Sequence, residues 1–254
     1  MGSLAFELSV LRRLVFLIAL GLGFAASQAT ASDADLEIGN KLAEMLRAGR
    51  TVVSRSQSLI NDPDIGDKKF TGEKLVNEAE AIYAERVGAP LFADGLSARD
   101  RRLLDAQVQA MRRIVDEHQA DINRIGVGFK GFIPATFARL VNEEFERIAG
   151  SEARVRVTAP LDLVRNRKAL PDQWERSILE TKLLAPDWPR GKSYTERVEF
   201  EGRTAFRMLL PEYYRESCLT CHGGPKGETD ITGYPKEGGK VGDLGSVISI
   251  VIFQ

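Results

Sequence analysis

Near its C-terminus the chain reads Cys218-Leu219-Thr220-Cys221-His222. Two thiols three positions apart, followed at once by an imidazole, spell C-x-x-C-H, the attachment pattern of c-type haem. The spacing has a chemical reason. Two thiols on one short turn add across the two vinyl groups of a single porphyrin, and the next imidazole then lies under the iron as proximal ligand. The same letters also arise as a redox dithiol beside an unrelated histidine, or as half of a zinc site.

Composition narrows these choices. Cys218 and Cys221 are the only cysteines, and His118 is the only other histidine, so four cysteines, or three and a histidine, cannot be assembled from this chain around zinc. A thioredoxin-like dithiol opens a helix after an early strand. Here the pair follows Pro211-Glu212-Tyr213-Tyr214 and precedes Gly223-Gly224-Pro225-Lys226-Gly227. That setting suits one covalent haem c on a loop, with a redox dithiol as the alternative.

An iron held by His222 has a further axial position to fill. His118 stands in the stripe Leu104, Val108, Met111, Val115, His118 and Ile122, whose steps of four and three share one helical face. A lone histidine on such a face is usually a core side chain bonded to a backbone carbonyl. As the only other imidazole it is also a candidate distal ligand, with Met111 and Met45 as rivals, although methionines at helical spacing are more often core filler.

Haem carboxylates need cationic or hydrogen-bonding partners, for which Arg165, Arg167, Lys168 and Lys130 are candidates, and a solvated loop is the plain alternative. The loop Gly126-Val127-Gly128-Phe129-Lys130-Gly131-Phe132-Ile133-Pro134 lacks G-K-[ST] and follows no clear strand, which makes it a poor phosphate cradle. Its glycines and aromatics, Phe132 among them, fit a wall against a flat apolar ligand. Trp174, Trp188, Tyr213 and Tyr214 are candidates to pack on the ring or simply in the core.

The elements that must position these residues read as helices first and strands after. Apolar spacing predicts helices over 35–60, 72–87 and, from an N-cap at Ser97, through Ile122; a shorter one runs over 135–148. Asn61-Asp62-Pro63-Asp64 and Gly88-Ala89-Pro90 break the first two. Alternation predicts a strand at Ala153–Thr158, a hairpin of 195–200 with 204–210 around Glu201-Gly202-Arg203, and a last strand over 245–253. A short helix from Pro171-Asp172-Gln173-Trp174-Glu175 runs to Leu184. The plan is α+β, an antiparallel sheet with long N-terminal helices packed around it, and the last two strands bracket the C-x-x-C-H loop.

The N-terminus has Arg12 and Arg13, an apolar run from Leu14 to Ala26 and small residues Ala29-Thr30-Ala31. The run is too short for a bilayer-spanning helix, which needs roughly 20 residues. It fits a cleaved secretory signal, and so a periplasmic protein, with membrane association only if the leader is retained. The organisation predicted is a signal peptide at 1–31, a helical region at 32–125 and a haem-binding core at 126–254. Lys and Arg total 35 against 36 acidic residues, and the leader removes only Glu7, Arg12 and Arg13. Such a balanced surface gives no reason to expect nucleic acid as a partner. Amphipathic N-terminal helices permit a homodimer without requiring one.

Several segments together resemble a known family: Gly128-Phe129-Lys130-Gly131-Phe132-Ile133-Pro134-Ala135, Thr158-Ala159-Pro160, Arg165-Asn166 with Pro171-Asp172-Gln173-Trp174-Glu175, Cys218 to His222, and Gly242-Asp243-Leu244-Gly245. The family is that of secreted single-haem c-type proteins and sensor modules with a PAS-like core, long filed as a domain of unknown function and typified by a cyanobacterial haem protein. The resemblance covers about 35–254. It implies a PAS-like sheet, Cys218 and Cys221 as thioether anchors and His222 as proximal ligand. The type protein is thought to use a further cysteine from an N-terminal helix as distal ligand, and this chain has none, which leaves His118, a methionine, water or nothing in its place.

A haem-based redox or ligand sensor signalling to a separate protein is the function expected first, because a one-haem electron carrier needs only on the order of 100 residues. A periplasmic electron-transfer cytochrome is second, since the chain carries no output module of its own. A peroxidase-like enzyme is third, with only His118 available as a distal acid–base group. A six-coordinate iron with His222 and a side chain from the helical region is the expected state.

Overall fold

The structure is a computed structural model that describes residues 33–254. The predicted leader and its cleavage site lie outside the described residues. A compact unit spans Gly39–Gln254, and the described residues before it, 33–38, are helical. The segments predicted as helical region and as core both fall, from Gly39 onward, in the one unit.

Helix α1 covers residues 33–55 and is followed by the single turn α2 (Gln57–Ile60). Helix α3 (Gly72–Val87) is capped by Thr71, whose side chain accepts from the Lys74 N–H at 3.1 Å, and ends on Gly88 at φ 77°. Helix α4 (Ala98–Glu117) is capped by Ser97, which accepts from the Asp100 N–H at 3.1 Å. The predicted stripe runs unbroken to Ile122, but α4 stops at Glu117, His118 is its C-cap, and Gln119–Ile122 form a separate turn, α5. The reason lies in the side chains. His118 Nδ1 reaches the Ile114 carbonyl at 2.7 Å and Gln119 Nε2 the Val115 carbonyl at 2.9 Å, and such bonds compete with the backbone ladder.

Pro134 opens α6 (Pro134–Ala149) at a position where a missing N–H costs nothing. Strand β1 (Ala153–Thr158) leads by two 3₁₀ turns to α7 (Gln173–Ile178), which starts on a complete capping box between Asp172 and Glu175. A π turn, Leu179–Leu183, continues it. Strands β2 (Tyr194–Phe200) and β3 (Arg203–Tyr213) are joined at Glu201 and Gly202, with φ of 52° and 75°, the left-handed pair that a two-residue hairpin requires. The turn α8 (Leu219–His222) and strand β4 (Leu244–Phe253) complete the chain.

The sheet is antiparallel in the order β1-β4-β3-β2, so the first and last strands are neighbours, with Val155 opposite Ile250 and Ile250 opposite Met208. The face bearing Ile250 and Met208 meets α1. A Cβ on Gly39 would lie 3.1 Å from Met208 Sδ. Leu209 and Val247 on the opposite face pack under Ile178, Leu179 and Leu183. Both faces of β4 are therefore covered, which explains its continuous apolar run. Helix α4 packs between α3 and α6, and α6 packs on β1. This is the expected α+β arrangement of an antiparallel sheet with helices packed around it. No helix among the described residues is long and apolar enough to cross a membrane.

Candidate functional site

The C-x-x-C-H turn is part of the long connection between β3 and β4. The neck of this connection is closed by Tyr214 N–H on the Asp243 carbonyl and Gly242 N–H on the Tyr214 carbonyl, both at 2.9 Å. Its return limb forms a small hairpin around the Thr229–Pro235 bridge. That limb then donates to the motif itself, Gly238 N–H to the Gly223 carbonyl at 3.0 Å and Gly239 N–H to the His222 carbonyl at 2.8 Å. The loop thus holds the five residues by backbone bonds of its own.

Cys218 and Cys221 are both unpaired thiols and half-buried. Burial, and then the Asp230 carboxylate, push the Cys221 thiol up. His222 stacks on Tyr214 with ring centroids 5.0 Å apart and planes at 20°. Its Nδ1 lies 3.0 Å from Glu237 Oε2 and 3.4 Å from the Tyr214 hydroxyl. An ionised carboxylate can only accept, so Nδ1 carries the proton and donates to Glu237. In the neutral imidazole this leaves the lone pair on Nε2, which makes no hydrogen bond among the described residues.

Arg165, from the segment after β1, ties the site together. Its Nε and Nη2 grip the Glu237 carboxylate at 2.6 and 2.9 Å, Nη1 reaches Asp230 Oδ2 at 2.7 Å, and Nη2 also donates to the Cys221 carbonyl at 2.8 Å. Burial opposes the charge on Glu237, but its bonds to Arg165 and the neighbouring His222 outweigh burial and hold the carboxyl below its usual range. Burial, with Glu237 next, pushes the Tyr214 phenol up to about 12.

Of the cations expected to meet haem carboxylates, Arg165 is the one at the motif, with its donors on Glu237, Asp230 and Cys221. Lys168 donates to Glu143 of α6 at 2.9 Å, and Lys130 to the Asp62 carbonyl at 3.3 Å. Phe132 is buried, its ring 5.3 Å from that of His118 and 6.2 Å from that of Phe137. Neither His118 nor Phe132 makes a hydrogen bond or ring contact to the motif among the described residues. His118 donates through Nδ1 to the Ile114 carbonyl, leaving its lone pair, too, on Nε2. Met45 and Met111 are fully buried, and Met111 lies where α1 passes α4 at Gly49.

Trp174 Nε1 donates to Glu196 at 2.8 Å, and Trp188 packs on Tyr194. Tyr213 lies under Arg190, 3.9 Å from its guanidinium carbon. Glu237 and Asp230 were invisible as site residues in the sequence. Pro235-Lys236-Glu237-Gly238-Gly239 signals only a returning turn, and nothing in it says that the turn returns to His222.

The arrangement offers two accessible thiols on one turn beside an imidazole of fixed tautomer and fixed plane. Such a set could hold a covalently anchored group and offer it one nitrogen donor. The model of the Tll0287-like family matches residues 94–252 of this chain. No curated protein and no solved structure matches it.

Proposed function

Because the chain belongs to the Tll0287-like family, the haem-protein family its sequence resembles, we propose that it carries one haem c through Cys218 and Cys221, with His222 as axial ligand. It is exported to the periplasm and serves as a redox or ligand sensor that signals to a separate protein. The observation that carries this reading is the state of His222, whose Nδ1 proton is committed to Glu237 at 3.0 Å while Nε2 stays free beside two unpaired, half-buried thiols. A bound haem would supply one-electron exchange at its iron and, where an axial position is open, binding of a small ligand.

The protein's own residues do the rest. Tyr214 fixes the imidazole plane, the loop hairpin holds the turn that presents both thiols, and Arg165 holds the carboxylate that orients His222. His118, through Nε2, is the first candidate for the distal position, with Met111 and Met45 behind it. An electron-transfer role is favoured by a different feature, the 30% exposure of the His222 side chain, which puts the site near the surface where a redox partner docks.

The test is to express the chain in a host that matures c-type cytochromes and weigh it. A mass without a porphyrin increment overturns the reading. Spectra of the ferric and ferrous protein with and without carbon monoxide then separate the roles. Rapid binding with no ligand displaced indicates an open site and a ligand sensor, whereas a six-coordinate iron in both states indicates redox sensing or electron transfer.

A further inference from the structure

We propose that Glu237 is a positioning residue that strengthens His222 as an iron donor and thereby lowers the reduction potential of the site, with Arg165 holding the carboxylate in place. The inference rests on the haem c reading above and deepens it.

A haem-ligating histidine whose Nδ1–H meets a backbone carbonyl shares its proton with a neutral acceptor. Here the acceptor is a carboxylate, with Nδ1 3.0 Å from Glu237 Oε2. Pulling the Nδ1 proton toward a carboxylate makes the ring more imidazolate-like and raises the basicity of Nε2. A more basic, more electron-rich donor stabilises the oxidised iron over the reduced one, so the potential falls.

The carboxylate is held for this role. Both of its oxygens are bound by Arg165, Oε1 from Nε at 2.6 Å and Oε2 from Nη2 at 2.9 Å. The same guanidinium is fixed by Asp230 at 2.7 Å and by the carbonyl of Cys221, one residue before the ligand, at 2.8 Å. Both partners of the His222–Glu237 pair are thus referenced to one planar fork, which sets their separation with little freedom. The glutamate's side chain is only 15% exposed, so water competes weakly for it. Arg165 shares Oε2 with His222 and offsets part of the charge, while the carboxylate remains the acceptor that faces Nδ1.

The experiment uses the haem-loaded protein and spectroelectrochemical titration. Glu237→Gln keeps the length and an acceptor oxygen but removes the charge. It is expected to raise the midpoint potential by about tenfold in the ratio of reduced to oxidised protein at fixed potential, about 59 mV for one electron. Glu237→Asp, which keeps the charge but withdraws it from Nδ1, shifts the potential the same way, and serves where Glu237→Gln does not mature. A loaded variant with the potential of the unaltered protein overturns the proposal. An unaltered protein that matures without haem overturns the functional reading instead, and its mass distinguishes the two failures.

Discussion

Tyr214 and His222 lie ring against ring, their centroids 5.0 Å apart and their planes 20° from parallel. The tyrosine leaves β3 directly into a slot between two glycines. A Cβ on Gly245 would stand 2.2 Å from Tyr214 Cε1, and one on Gly239 would stand 2.6 Å from Cε2. Gly245 belongs to β4 and Gly239 to the return limb of the loop. The plane of the imidazole is therefore set by the sheet itself, through a phenol ring that only hydrogen on the neighbouring Cα atoms can accommodate.

Gly245→Ala is expected to drive the Tyr214 ring out of its slot and destabilise the protein by about 1–3 kcal/mol. Denaturant unfolding measures the loss, and near-UV circular dichroism reports the displaced tyrosine. Gly128→Ala, where a Cβ meets nothing within 4 Å, is the matched control and should leave both signals unchanged.

Beneath α7 the sheet buries a charged pair. Arg207, 2% exposed, donates to Asp172 at 2.7 Å and lies 3.5 Å from Glu175, which has no exposed surface. The guanidinium also sits over the ring of Trp174, 4.2 Å from its centre. Arg207→Leu leaves the glutamate's charge buried with Arg156 at 3.5 Å and is expected to cost about 3–5 kcal/mol. Equilibrium unfolding in urea checks this, and a loss under about 1 kcal/mol contradicts it.

The loop should fail in acid through its carboxylates. Burial opposes the charge on Asp230, but the Thr232 hydroxyl, Arg165 and two backbone N–H groups outweigh it and hold the carboxyl well below its usual range. Glu237 is shifted the same way. A depressed folded-state pKa stabilises above the unfolded value and is lost as the pH falls through the folded one. The clamp around the motif is therefore complete above about pH 5 and weakens progressively below about pH 4. Acid titration of the tyrosine near-UV signal follows it, and Arg165→Met, which removes the shared partner, should move the transition to higher pH.

Met45 and Met111 are fully buried among the helices. Replacement by alanine is expected to cost about 2–5 kcal/mol at either position, and by leucine less than about 1.5 kcal/mol. The absorption spectrum of the haem-loaded protein should be unchanged in both leucine variants and altered in His118→Ala. A spectrum altered by Met111→Leu or Met45→Leu would instead assign the distal position to that sulfur.

Much of the architecture was legible residue by residue. Ser97 caps where its side chain predicts, Gly88 stops α3 in the left-handed conformation, and Glu201-Gly202 turns the hairpin. These signals are local, carried by the backbone preferences of one to four residues. Where a side chain competed with the backbone, the pattern misled. The spacing from Leu104 to Ile122 has an unbroken helical period, yet His118 and Gln119 bind the carbonyls of the last turn of α4 and end it there.

The motif Cys218 to His222, the α+β plan and the family likeness were determined by the sequence alone, because each depends on residue types at short, fixed spacing. Only the tertiary structure decided which groups surround His222. Arg165 arrives from the segment after β1, Tyr214 from the end of β3 and Glu237 from the return limb of the loop, and no periodicity links them. They meet because antiparallel β3 and β4 bring the two ends of a long loop to one neck, while β1, paired on β4, delivers the following segment to the same place.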